Sequence, residues 1–262
     1  MTEVCGRMKR MKKSTVLTIC FLLLATGVWG GHHTPEDEGI GPDYQARIAL
    51  LTDLGDWNTH FDIEGRMEDA GREFRYRSMT AGAFWRAHRN LKVGALYRLQ
   101  AGARHDDDWL ALDGNDWAWK DSRERYEHLF MLDATPRFLL GRSGVAAAKL
   151  RYEYNMTNNQ QIILLRPGYT WFHMVDREPR WNLSLNYALY FSLNFGDSVL
   201  YESGPYLSWL YHLSDLIKVE VRGDYITRTW SSSEDSIAAG DTYLMEDRRI
   251  VLGVGILLTP RF

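Results

Sequence analysis

From Trp181 to Phe195 every odd position is apolar or aromatic: Trp181, Leu183, Leu185, Tyr187, Leu189, Phe191, Leu193 and Phe195. The even positions are mostly small or polar, with Asn182, Ser184, Asn186, Ser192 and Asn194 among them. A helix would scatter the odd set around its circumference, whereas a strand places it on one face. The stretch is also long. A soluble strand usually has about 5–6 residues, and a tilted bilayer crossing takes about 9–11.

The same period-two pattern recurs along the chain. In 57–67 Trp57, Thr59, Phe61, Ile63 and Met67 oppose Asn58, His60, Asp62, Glu64 and Arg66. Clear alternation also marks 91–101 and 217–229. Weaker examples cover 44–52, 72–86, 123–138, 145–156, 160–172, 199–212 and 248–262. Short Gly-, Asn- or charge-rich turns separate many of them, such as 88–90, 141–144 and 176–179. Two connections, 105–121 and 231–247, are long and polar with acidic clusters. This predicts an all-β fold, a transmembrane antiparallel up-and-down β-barrel with the long connections on its outer side. Such single-chain barrels have even strand numbers, so the eleven segments predict about twelve strands, within a range of about 10–12. The extra strand is expected in 31–43 or 240–247. Trp57, Trp85, Trp171, Trp181 and Trp230 lie near strand ends, where an aromatic girdle would sit.

The first thirty residues follow a different rule. A basic run (Arg7-Met-Lys-Arg-Met-Lys-Lys13) leads into an apolar stretch, Val16–Leu24, and then into small residues ending at Gly30. That order predicts a secretory signal peptide, 1–30, with cleavage after Gly30. Residues 31–43 read as a polar leader and 44–262 as the barrel. Cleavage would remove Cys5 and Cys20, both cysteines of the chain, excluding disulfide scaffolds and cysteine chemistry. It would also remove five of 31 basic and one of 34 acidic residues, leaving a net charge of −7.

Composition narrows the classes further. Ten Trp, 14 Tyr and 10 Phe exclude disorder. The mean hydropathy of −0.35 leaves no room for several apolar helices. The charge excludes a strongly basic nucleic-acid binder. No cofactor motif and no metal site is expected; the His32-His33 pair is read as part of a solvated tail.

The chain ends Gly253-Val-Gly-Ile-Leu-Leu-Thr-Pro-Arg-Phe262. A terminal Phe262 on an alternating strand resembles the assembly signal of Gram-negative outer-membrane barrels, although Pro260 departs from the usual pattern. Tyr126-Glu127-His128, Lys149-Leu-Arg-Tyr-Glu153 and Arg166-Pro-Gly-Tyr169 resemble an uncharacterised family of such barrels, a domain of unknown function. Gly204-Pro-Tyr-Leu-Ser-Trp-Leu-Tyr-His-Leu-Ser214 and Val219-Glu-Val-Arg-Gly-Asp-Tyr225 are similar to a late hairpin of small monomeric porins specific for acidic oligosaccharides. The resemblance implies a monomer in the cell outer membrane. Its partners there would be outer-membrane lipid, lipopolysaccharide and the barrel-assembly machinery.

If the apolar faces meet lipid, the opposite faces line a lumen. The basic lumen candidates are Arg66, Arg75, Arg77, Lys92, Arg98, Arg104, Arg125, Lys149, Arg151, Arg166, Lys218, Arg222 and Arg228. The acidic ones are Asp62, Glu64, Glu73, Glu127, Asp133, Glu153, Glu202, Glu220 and Asp224. The basic excess predicts a narrow channel favouring anionic small solutes or acidic oligosaccharides. Alternating charges such as Lys218-Glu220-Arg222-Asp224 predict instead a closed structural barrel with a salt-bridged lumen. A weaker third reading is a lipid hydrolase using His212, Ser214 and Glu220. His105 with Asp106, Asp107 and Asp108 is expected to be a solvated acidic loop.

Overall fold

The computed structural model describes residues 42–105, 108–111, 117–119, 121–196, 199–230 and 245–260; the side chains of 109–111, 117–119 and 245–246 are not described. Barrel strands are β1 Asp43–Leu54, β2 Trp57–Glu68, β3 Glu73–His88, β4 Leu91–Ala101, β7 Tyr126–Leu140, β8 Gly144–Asn155, β9 Gln161–Val175, β10 Glu178–Ser192, β11 Leu200–His212, β12 Ile217–Trp230 and β13 Met245–Leu258. A separate two-stranded sheet, β5 (Trp109–Ala111) with β6 (Trp117–Trp119), lies in the β4–β7 connection. Each of the eleven alternating segments is a barrel strand.

Sequence neighbours pair antiparallel all the way round, and β1 then closes on β13 in parallel, from Asp43 opposite Val251 to Leu50 opposite Leu258. The barrel therefore closes on eleven strands rather than the expected twelve. With an odd number the first and last strands run the same way, and their parallel ladder supplies the partners a twelfth strand would have given. Residues 245–247, part of one segment expected to hold the extra strand, open β13. The expected signal peptide, 1–30, most of the expected leader and Phe262 lie outside the described residues.

The two rims differ. At one, tight turns join β1–β2, β3–β4, β7–β8, β9–β10 and β11–β12. Asp176 and Arg177 both have positive φ there (51° and 69°), the geometry that matches strand twist in a two-residue hairpin. At the other rim β1 starts, and β4 and β12 end where β7 and β13 begin. The strands that flank the two long segments thus meet them at one rim, opposite the end of β13.

Side-chain polarity is inverted relative to a water-soluble barrel. Ile48, Leu185 and Val254 are 57%, 58% and 59% exposed on the outside, while Glu127, Asp133 and Arg75 are buried inside. Trp57 stacks on Trp85, and Trp171 meets Trp181 edge-on at 5.0 Å between ring centroids, all near the tight-turn rim. Trp230 does not join this girdle. Its even position puts it on the inward face of β12, where it is buried and lies under the Arg228 guanidinium.

One β-bulge alters the inside–outside alternation. Arg66 pairs with Tyr76 and Met67 with Phe74, so Arg75 is an extra residue in β3. Gly102 sits over this bulge with φ +81°, where a Cβ would lie 2.0 Å from the Arg75 carbonyl oxygen. Arg75 and Tyr76 both turn inward, and every later residue of β3 is shifted by one.

Candidate functional site in the barrel lumen

The lumen is a network of charges held on alternate positions of neighbouring strands. Arg222 donates to Asp224 at 2.7 Å, Arg228 is bonded to Glu202, and Arg47 reaches Asp62 at 3.3 Å. Arg66 lies 3.7 Å from Glu64. Arg151 forks onto Asp133 at 2.6 and 3.0 Å and lies 3.9 Å from Glu153, and Lys149 reaches the same Asp133 at 3.1 Å. Glu220 accepts from Ser208 at 2.6 Å. Lys218 occupies the inward parity of β12, directly opposite His212.

Arg77 is the exception among the lumen candidates. The bulge at Arg75 reverses its parity, and it lies on the outer face against the exposed Glu124 and Tyr126. Arg125 belongs to the loop before β7 rather than to the strand, yet still turns inward onto Asp108 and Glu127.

Glu127 is a node of the network. It is 1% exposed and accepts from Arg125 Nε at 3.0 Å, Gln100 Nε2 at 3.0 Å and Asn155 Nδ2 at 3.1 Å. His105 Nε2 lies 2.6 Å from Oε1, the oxygen that also accepts from Arg125. Asp108 accepts from the His105 backbone N–H and from both Arg125 terminal nitrogens. Asp108 is therefore buried and paired, not part of a solvated acidic loop; Asp106 and Asp107 lie outside the described residues.

A second node was not visible in the sequence. Glu68 receives Arg104 at 2.9 Å and Arg249 at 3.1 Å, with Arg75 at 3.8 Å, and Arg249 also reaches Asp43 and Asp247. Glu68 closes β2 and Arg249 lies in β13, so this cluster bridges the parallel seam. Burial lowers the Arg104 guanidinium to about 10; Arg249 and Arg75 push the same way and Glu68 opposes them. Asp43, Glu68, Asp108 and Asp247 join the acidic lining, and Arg47 and Arg249 the basic one, which narrows the basic excess.

Between these nodes, at the long-loop rim, lies a cavity of about 210 Å³. Arg66, Arg98, Arg104, Arg228 and Arg249 line it together with Glu68, Glu153, Glu202 and Asp247. Tyr76, Tyr190, Tyr201 and Trp230 supply aromatic surface. Deeper in the lumen Arg166 and Arg222 flank the Tyr206 ring, at 5.1 and 4.4 Å from its centroid. Arg98 donates to Thr80 at 3.2 Å, and neither Arg98 nor Arg166 has a carboxylate within 4.0 Å among the described residues.

His212, Ser214 and Glu220 are not assembled into a catalytic row. The His212 ring is 3.4 Å from Asn182, Ser214 Oγ accepts from the Ile217 N–H within a turn, and Glu220 is held by Ser208. Among the described residues no group of three His, Asp or Glu side chains is placed to hold a metal. Comparison with protein-family models and with curated proteins finds no match to this chain.

Proposed function

We propose that this chain is an outer-membrane β-barrel that forms a narrow channel favouring small anionic solutes, with acidic sugars as one class. Its membrane placement is supported by the apolar exterior: Ile48, Leu185, Val254 and their neighbours form a lipid-compatible band, edged by tryptophans on the tight-turn side. The observation that carries the solute preference is the set of inward guanidiniums at the cavity and below it, two of them, Arg98 and Arg166, with no carboxylate within 4.0 Å among the described residues. Rings of Arg and Lys inside a low-dielectric wall select anions. In this reading the signal peptide delivers the chain for secretion, Phe262 is read by the barrel-assembly machinery, and the long loops face lipopolysaccharide outside.

The closed structural barrel is the second reading. It is favoured by the dense pairing around Glu127, Asp133 and Glu68, which fills much of the cross-section. Recording from refolded protein in planar bilayers separates the two. The channel reading expects small, anion-selective conductance steps. A silent bilayer favours the closed barrel, and cation selectivity rules out the anion channel.

A further inference from the structure

Lys149 and Arg166 are direct cross-strand partners on the inward face of β8 and β9. Like charges in that position destabilise a sheet, and more so where little water screens them. Lys149 turns to Asp133, but Asp133 already holds both nitrogens of the Arg151 fork. Arg166 is left with a 3.4 Å contact to the Tyr190 hydroxyl and the face of Tyr206. Its Nε is buried with no hydrogen-bond partner. Arg66 and Arg75 also have a buried Nε without a hydrogen-bond partner, but each has a carboxylate within reach. Arg166 alone, among the described residues, combines an orphan Nε with no carboxylate.

We propose that Arg166, Lys149 and Tyr190 form an oxyanion-binding site for the carboxylate or phosphate group of a small solute. The planar guanidinium presents two parallel donors to such a group, and Tyr206, lying between Arg166 and Arg222, fixes the plane. One oxyanion would relieve the Lys149–Arg166 opposition and satisfy the buried donor. Tyr190 also lines the 210 Å³ cavity, so the site shares one residue with it. The site deepens the channel reading and rests on it only for the route by which the oxyanion arrives.

Refolded barrel is heated in phosphate, in acetate and in chloride at matched ionic strength, and the loss of the folded, heat-modifiable gel band is followed. The wild type is expected to gain several degrees, saturably, in phosphate and acetate over chloride. Arg166→Gln should abolish the gain. In chloride it should be at least as stable as wild type, because it removes the opposed charge; a purely structural Arg166 would predict a loss instead. Arg166→Lys keeps the charge without the fork and should give a reduced gain. Should Arg166→Gln fail to refold, Arg166→Lys and Lys149→Gln together carry the test. No gain in wild type, or an undiminished gain in the variants, overturns the site. Saturable gain with a silent bilayer removes the channel and leaves the site; anion-selective conductance without gain removes the site and leaves the channel.

Discussion

Glu127 and Arg166 are both charges enclosed by the same barrel, and they stand at opposite extremes. Around Glu127 of β7 four side chains, one each from β4 and β8 and two from loop positions, converge on one carboxylate. Around Arg166 the cross-strand partner is another cation, and among the described residues one donor is left without an acceptor. A buried charge fully enclosed by partners holds strands together and is costly to disturb. A buried charge short of partners contributes little to the fold and retains capacity for something that comes from outside.

That contrast can be broken from its strong side first. Glu127→Ala should cost about 3–5 kcal/mol of stability, the usual loss when one side of a buried ionic cluster is removed. Urea unfolding of the barrel in detergent would measure it, and a loss under about 1 kcal/mol would show the node to be dispensable. Gly102→Ala should cost about 2 kcal/mol or more, since the methyl group meets the Arg75 carbonyl and the backbone has positive φ. The same unfolding midpoint reads it, and no shift would mean the bulge relaxes freely. Arg166→Gln should shift the midpoint in chloride slightly upward or not at all; a clear fall would make Arg166 a structural residue like Glu127. Arg77→Gln should leave both stability and ion selectivity unchanged, because Arg77 is on the outer face with exposed partners. A changed selectivity there would place Arg77 back in the lumen.

Much of this was legible in the residues themselves. The segments 91–101 and 217–229 match β4 and β12 almost end to end, because alternation along a strand reports directly which face meets which solvent. The inward positions of Lys149, Arg151, Glu153, Arg222 and Asp224 follow from the same parity. Parity also explains the errors. Arg77 shares the sequence parity of Arg75, and one extra residue at the bulge turns it to the opposite face. Trp230 was placed in the girdle because it ends a strand, although its own parity turns it inward.

The missed residues share a different cause. Glu68 and Arg249 are separated by 181 positions in the chain, and no local pattern links them. They meet because β1 and β13 lie side by side at the seam. Asp108 sits in a connection with no periodicity at all, so nothing in its spacing marked it as buried.

The chain by itself determined the strands, their two faces and the concentration of arginine opposite the apolar side, because period two is a property of each segment alone. Only the closed barrel decided the strand number, the parallel seam and which charges are satisfied. Those depend on register between strands, and register is set by the whole ring of eleven closing at once.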